Sequence, residues 1–187
     1  MPYLKKDTDA PFGLAPFTAP LRVNSYPKAT TTNIFNGNIV TLLSTGLVQS
    51  LAAPDGSIQP VVGVAAETTL SASAGATVMV YDHPDQLYVI QDDDVGTAIA
   101  ETHIGSLFTV TGLTPGTAAE VTRGRSITEM DTSSVTATVG VGASMLQFIK
   151  LHPIEDGSYP SSAGSPRKCV VKVLAGQTWY ATSSGAV

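Results

Sequence analysis

The sequence predicts an all-β fold: a single β-barrel or sandwich-like domain with one or two short helical turns and an extended N-terminal arm. Three observations predict it. Short apolar runs alternate with turn-forming dipeptides along most of the 187 residues, the signature of many short strands. Glycine (17) and proline (12) are frequent while aromatics reach only 6%, which suits tight connections better than long helices. Hydrophobic residues make up 43% and charged ones 13%, enough apolar surface for one core without metal or disulfide staples.

Residues 1–30 are expected to form the arm, and 31–187 the β-barrel body with its C-terminal strands. Five of the twelve prolines lie in the arm: Pro2, Pro11, Pro16, Pro20 and Pro27. Their spacing excludes a helix and a central strand. Tyr3, Leu4, Phe12, Leu14, Phe17, Leu21, Val23 and Tyr26 are spread along the same stretch. Extended backbone with apolar anchors every few residues suits a strap laid across another surface. Ordering such a strap costs roughly 45 kcal/mol at ~1.5 kcal/mol per residue. Offsetting that takes on the order of 1,800 Å² of apolar burial. Neighbouring subunits are the expected source of this surface, with the chain's own barrel as the alternative.

In the body, Asn33–Phe35 and Asn38–Leu42 flank Asn36-Gly37, a dipeptide that favours a type I′ hairpin. Thr45-Gly46 leads into Leu47–Leu51, and Pro54-Asp55-Gly56 forms another turn. Further strands are expected at Val61–Ala66, Thr77–Tyr81, Leu87–Gln91, Leu107–Thr111, Val135–Val139, Met145–Leu151 and Cys169–Leu174. Strict alternation in Gln147–Leu151 places Phe148 and Lys150 on one face, so that the Lys150 stem would be buried. Asp94–Ile104 reads as a helix, with Asp94 as N-cap and Val95, Ala98, Ile99 and Thr102 on one face. Ser126 and Glu129 have capping-box spacing, which predicts a short turn over Ser126–Met130.

Charge is unevenly placed. Ala29–Thr122 is a 94-residue block without Lys or Arg but with nine acids. Such a block cannot neutralise phosphates, so no nucleic-acid partner is expected; the acids are expected to form a solvated, self-repelling surface. No apolar run approaches the ~18 residues of a membrane helix, and no membrane partner is expected. The front of the chain lacks a basic-then-apolar leader pattern, which together with a single cysteine points to assembly in a reducing cytoplasm.

Chemistry-bearing residues are sparse. His83, His103 and His152 form no HxH or HExxH pair, the spacing zinc needs. Asp92-Asp93-Asp94 lacks the alternate-residue pattern of a calcium loop and reads as a solvated turn. Asp82 and Asp85 bracket His83-Pro84, which a β-turn explains without catalysis. Cys169 beside Lys168 reads as a buried, inert thiol. No nucleophile elbow, P-loop or dinucleotide fingerprint occurs. The expectation is therefore no enzyme, no metal and no cofactor.

Several blocks resemble a known family. Gly37-Asn38-Ile39-Val40, Gly46-Leu47-Val48 and Val61-Val62-Gly63-Val64-Ala65 are similar to the opening of small tailed-bacteriophage capsid decoration proteins, also called cement or head-stabilising proteins. So are VMVYDHPDQLYVIQDDD (78–94), Gly105, Gly124-Arg125-Ser126, Glu129-Met130-Asp131 and LQFIKLHPIEDG (146–157). The resemblance spans roughly residues 30–175, and its motifs are structural. It implies a structural protein on the outer surface of the virion that binds the major capsid protein and itself, often as a homotrimer. Under that reading the partner-binding residues are Tyr3, Phe12, Phe17, Leu21, Arg22 and Tyr26, with Lys5 and Lys6 adding rim charge. The arm departs from the family pattern, since shorter decoration proteins carry brief disordered arms. The alternative is a phage receptor- or carbohydrate-binding module, for which Trp179 is the only tryptophan; a small carboxylate hydrolase is a third.

Overall fold

Alternating apolar residues between glycine and proline turns give eleven strands among the described residues. In chain order they are β1 (Ala15–Pro16), β2 (Val23–Pro27), β3 (Ile39–Leu42), β4 (Val48–Ser50), β5 (Val61–Ala65) and β6 (Thr77–Tyr81). They continue as β7 (Leu87–Gln91), β8 (Leu107–Thr111), β9 (Glu129–Thr136), β10 (Leu146–Leu151) and β11 (Lys168–Val173). A 3-10 turn (Glu101–His103) precedes β8, and α1 (Ala118–Arg123) follows it. The computed structural model describes residues 11–29, 32–52, 60–70, 75–93, 99–113, 116–136, 145–152 and 166–174. Tyr3, Lys5, Lys6, the Pro54-Asp55-Gly56 turn and Trp179 lie outside them.

Six strands form one sheet in the order β1-β7-β11-β10-β8-β9, and five form a second in the order β2-β6-β5-β3-β4. Every ladder is antiparallel. In a row of five such strands the first and last run the same way, so a sheet that curls onto itself must meet in parallel. Both sheets do so at one point: Lys28 bridges Val48 across the ends of the five-stranded sheet, and Asp92 bridges Met130 across β7 and β9. Neither meeting grows into a ladder. The fold is all-β and sandwich-like, and its sheets stop short of barrel closure.

The main core lies between the sheets. Ile39, Val61 and Val64 of the five-stranded sheet meet Tyr88, Ile90, Phe108, Phe148, Cys169 and Val171 of the other. The rings of Phe108 and Phe148 pack edge to face at 6.3 Å. A second cluster fills the concave far side of the five-stranded sheet: Ile34, Val40, Val48, Val62, Ala65, Val78 and Val80. β5 faces both cores by alternation, and a bulge resets which of its side chains face which. Val40 pairs with Gly63 but Thr41 with Val61, so Val62 is the extra residue and the side chains after it change face. Gly63 is needed at that spot, because a Cβ there would lie 2.1 Å from the Tyr81 carbonyl oxygen.

Several local expectations are corrected. Asn36-Gly37 does turn the chain, with Asn38 N–H donating to Phe35 O at 2.9 Å. The hairpin ladder is missing, however, because Ile34 instead exchanges backbone bonds with Thr69. Of the expected helix, residues 94–98 lie outside the described set, and 99–104 hold only the 3-10 turn. Extended backbone at Ala100 (φ −137°, ψ 169°) separates Ile99 from that turn. Ser126–Met130 is not helical: Ser126 Oγ accepts the Thr128 N–H at 3.1 Å, and β9 begins at Glu129, earlier than the expected Val135. Among the described residues the α-helix is α1. Thr117 caps it by accepting from Glu120 N–H, and Gly124 ends it in the left-handed region at φ 66°. In β10 a register shift between Phe148 and Lys150 breaks the alternation, so Phe148 is buried and Lys150 exposed.

The front segment is extended, as its prolines require, and within residues 11–29 it rests on the chain's own sheets. β1 is the outer strand of one sheet and β2 of the other. Pro27 is tolerated because β2 is an edge. Lys28 N–H donates to Ala76 O, which by alternation turns the backbone of Val23, Ser25 and Pro27 away from β6. Leu14, between Gly13 and β1, is in the main core.

Candidate functional site

The most polar construction involving the front segment lies where it turns from one sheet to the other. β6 and β7 are joined by residues 82–86, and residues 17–22 run alongside this connection. Gln86 N–H donates to His83 O at 3.1 Å, which closes a β-turn over His83–Gln86 with Pro84 and Asp85 at its centre, one residue later than the expected turn with Asp82 and Asp85 at its ends. Phe17 N–H reaches Leu87 O at 2.9 Å. The Gln86 side chain accepts from Leu21 N–H at 2.9 Å and donates to Thr18 Oγ1 at 3.3 Å.

Asp82 is the centre of the site. Its side chain is fully buried, and a bare carboxylate there would be costly. Three alternate residues of the front segment satisfy it, since positions i, i+2 and i+4 of a strand share a face. Arg22 Nε donates to Oδ1 at 2.7 Å, Asn24 Nδ2 to Oδ2 at 2.8 Å and Tyr26 OH to Oδ2 at 2.5 Å. Arg22 Nη2 also donates to the Asp82 carbonyl oxygen at 2.8 Å. Burial alone would raise the Asp82 pKa. The hydrogen bonds from Tyr26, Arg22 and Asn24 and the Arg22 charge outweigh that and hold it below the ordinary 3.8. Asp82 is thus an ionised carboxylate that holds a strand, with its oxygens already engaged. At the rim, Lys172 Nζ contacts Asp85 Oδ1 at 2.6 Å and holds that exposed carboxyl low by hydrogen bond and charge.

The expected partner-binding residues divide accordingly. Arg22 and Tyr26 come together on Asp82, joined by Asn24, which sequence reading passed over. The signal was there: Arg22-x-Asn24-x-Tyr26 puts three donors on one face of an edge strand. Phe17 is half-buried, edge-on to His152 at 5.7 Å, with Lys150 Nζ 4.8 Å from its ring centre. Phe12 is half-buried beside the Gly37 turn. Leu21 is 54% exposed at the corner.

Other polar groups also hold the fold. Asp92 Oδ1 accepts Arg167 N–H at 2.5 Å, and Asp93 Oδ1 accepts both N–H and Oγ1 of Thr132. Glu120 is buried, taking Asn38 Nδ2 on Oε1 and Gly116 N–H on Oε2. Asn38 also donates to Ser126 Oγ at 2.8 Å, which ties the Gly37 turn to the chain beyond α1. The acidic block is therefore only partly a solvated surface, since Asp82, Asp92 and Glu120 are interior. His83 Nδ1 accepts Asp85 N–H, and His103 Nδ1 accepts Ala100 N–H. Cys169 is buried; burial, with the Asp92 charge adding to it, pushes its thiol well up. No family model, curated protein or solved structure matches the chain.

Proposed function

We propose that this chain is a structural cement protein, a decoration protein of a tailed-bacteriophage head. It binds the outer surface of the capsid and stabilises contacts between major capsid protein subunits, most simply as a homotrimer. The observation that carries this reading is the use made of the interior carboxylates. Asp82, Asp92 and Glu120 are each engaged by donors from distant parts of the chain, as in a body built for mechanical closure rather than turnover. The antiparallel sandwich and the sequence resemblance over residues 30–175 support the same reading. Leu21 offers an outward apolar anchor, flanked by half-buried Phe17, and Arg22 and Tyr26 hold the segment that carries it.

The test is co-sedimentation of the purified full chain with expanded, cement-free phage heads. The protein pellets with heads at a fixed ratio to capsid subunits, and Leu21→Glu weakens pelleting without altering the circular dichroism. A folded chain that stays in the supernatant at saturating head concentration contradicts the proposal. Glycan arrays would then take up the receptor-binding alternative.

A further inference from the structure

We infer that the β6–β7 corner is a strand-capture site whose occupant is the Leu14–Lys28 segment of a second copy of this chain as well as the chain's own. The contacts holding the segment are specific and distant in sequence. Its side-chain hydrogen bonds to Asp82 and Gln86 span 56 to 68 residues. Backbone pairing runs from Ala15 against Val89 to Pro27 against Thr77. Without the segment, β6 and β7 become unpaired edges, open templates for another strand, and the Asp82 carboxylate loses its three donors. The acceptor therefore selects a strand with Arg, Asn and Tyr at alternate positions, which every copy of the chain carries. Only Ala29, Thr30 and Thr31 separate the segment from Thr32. Exchange between copies keeps every contact of the corner while linking two bodies, a low-cost route to assembly. The partner copy then supplies Arg22, Asn24 and Tyr26 to Asp82. This inference concerns the purified chain alone and stands or falls separately from the capsid reading.

The test uses full-length chains carrying one substitution each. Ser25 lies opposite Met79 in a pair that does not exchange backbone hydrogen bonds, where Cα atoms sit about 4.5 Å apart, within disulfide range. Ser25→Cys and Met79→Cys chains are mixed, incubated and oxidised with oxidised glutathione. A disulfide-linked dimer on a non-reducing gel, several-fold stronger than in a mixture of Ser25→Cys with Glu101→Cys, is the expected result. The doubly substituted chain S25C/M79C shows that the register permits the bond. If that chain closes its bond while the mixture stays monomeric, capture is confined to one chain and the inference is overturned. Equal dimer in the Glu101→Cys mixture marks random collision and overturns it too.

Discussion

Asp82 shows how one residue can fix the course of a whole segment. Its carboxylate is buried and ionised only because Arg22, Asn24 and Tyr26 converge on it. Asp82→Asn keeps the shape but sets an amide against three donors, and it should cost about 2–3 kcal/mol at neutral pH in urea unfolding. The pH dependence has a definite sign. A carboxyl held below its ordinary 3.8 in the fold contributes stability that is complete above that value and lost as pH falls through the lower folded value. Wild-type and Asp82→Asn curves should therefore converge on acidification; parallel curves would contradict the assignment. Gly63 is a second decisive residue. Its missing Cβ leaves room for the Tyr81 carbonyl, and Gly63→Ala should destabilise by about 2 kcal/mol or more, read as a lower denaturation midpoint. Cys169 gives a third prediction. Buried, with its thiol pKa raised, it should react with a thiol reagent only in denaturant. Rapid reaction in the native state would contradict its place in the core.

At the scale of elements, apolar runs bounded by turns were legible wherever burial followed a simple period. Thr77–Tyr81, Leu87–Gln91 and Leu107–Thr111 are β6, β7 and β8 to the residue. The failures have physical causes. Bulges at Val62 and in β10 change face in mid-strand, which no alternation rule anticipates. α1 has only six residues, too short for a periodic signal, although Thr117, Glu120 and Gly124 mark its ends. β1 and β2 were hidden by their prolines, which permit an edge strand without announcing one. Of the candidate site, the turn around His83-Pro84 and the extended front segment were readable. Their joining through Asp82 was not, because it links residues 56 to 60 positions apart. These elements also change a deletion experiment. Removal of residues 1–28 is expected from sequence to spare the barrel, yet it takes β1, β2 and Leu14 from the fold. That deletion should yield unfolded or aggregated protein.

At the scale of the whole molecule, two sheets share one core, and the five-stranded sheet carries a second on its far side. One N-terminal segment borders both sheets. Such a body resists being pulled apart, because separating the sheets also strips β1 or β2 from its partner. A shell-stabilising protein needs that property, and the most direct measurement is the temperature at which DNA-filled, cement-free phage heads rupture. Saturating full-length protein should raise that temperature, and Asp82→Asn protein should raise it less. An unchanged rupture temperature in the presence of folded, saturating protein would contradict the proposed cement function.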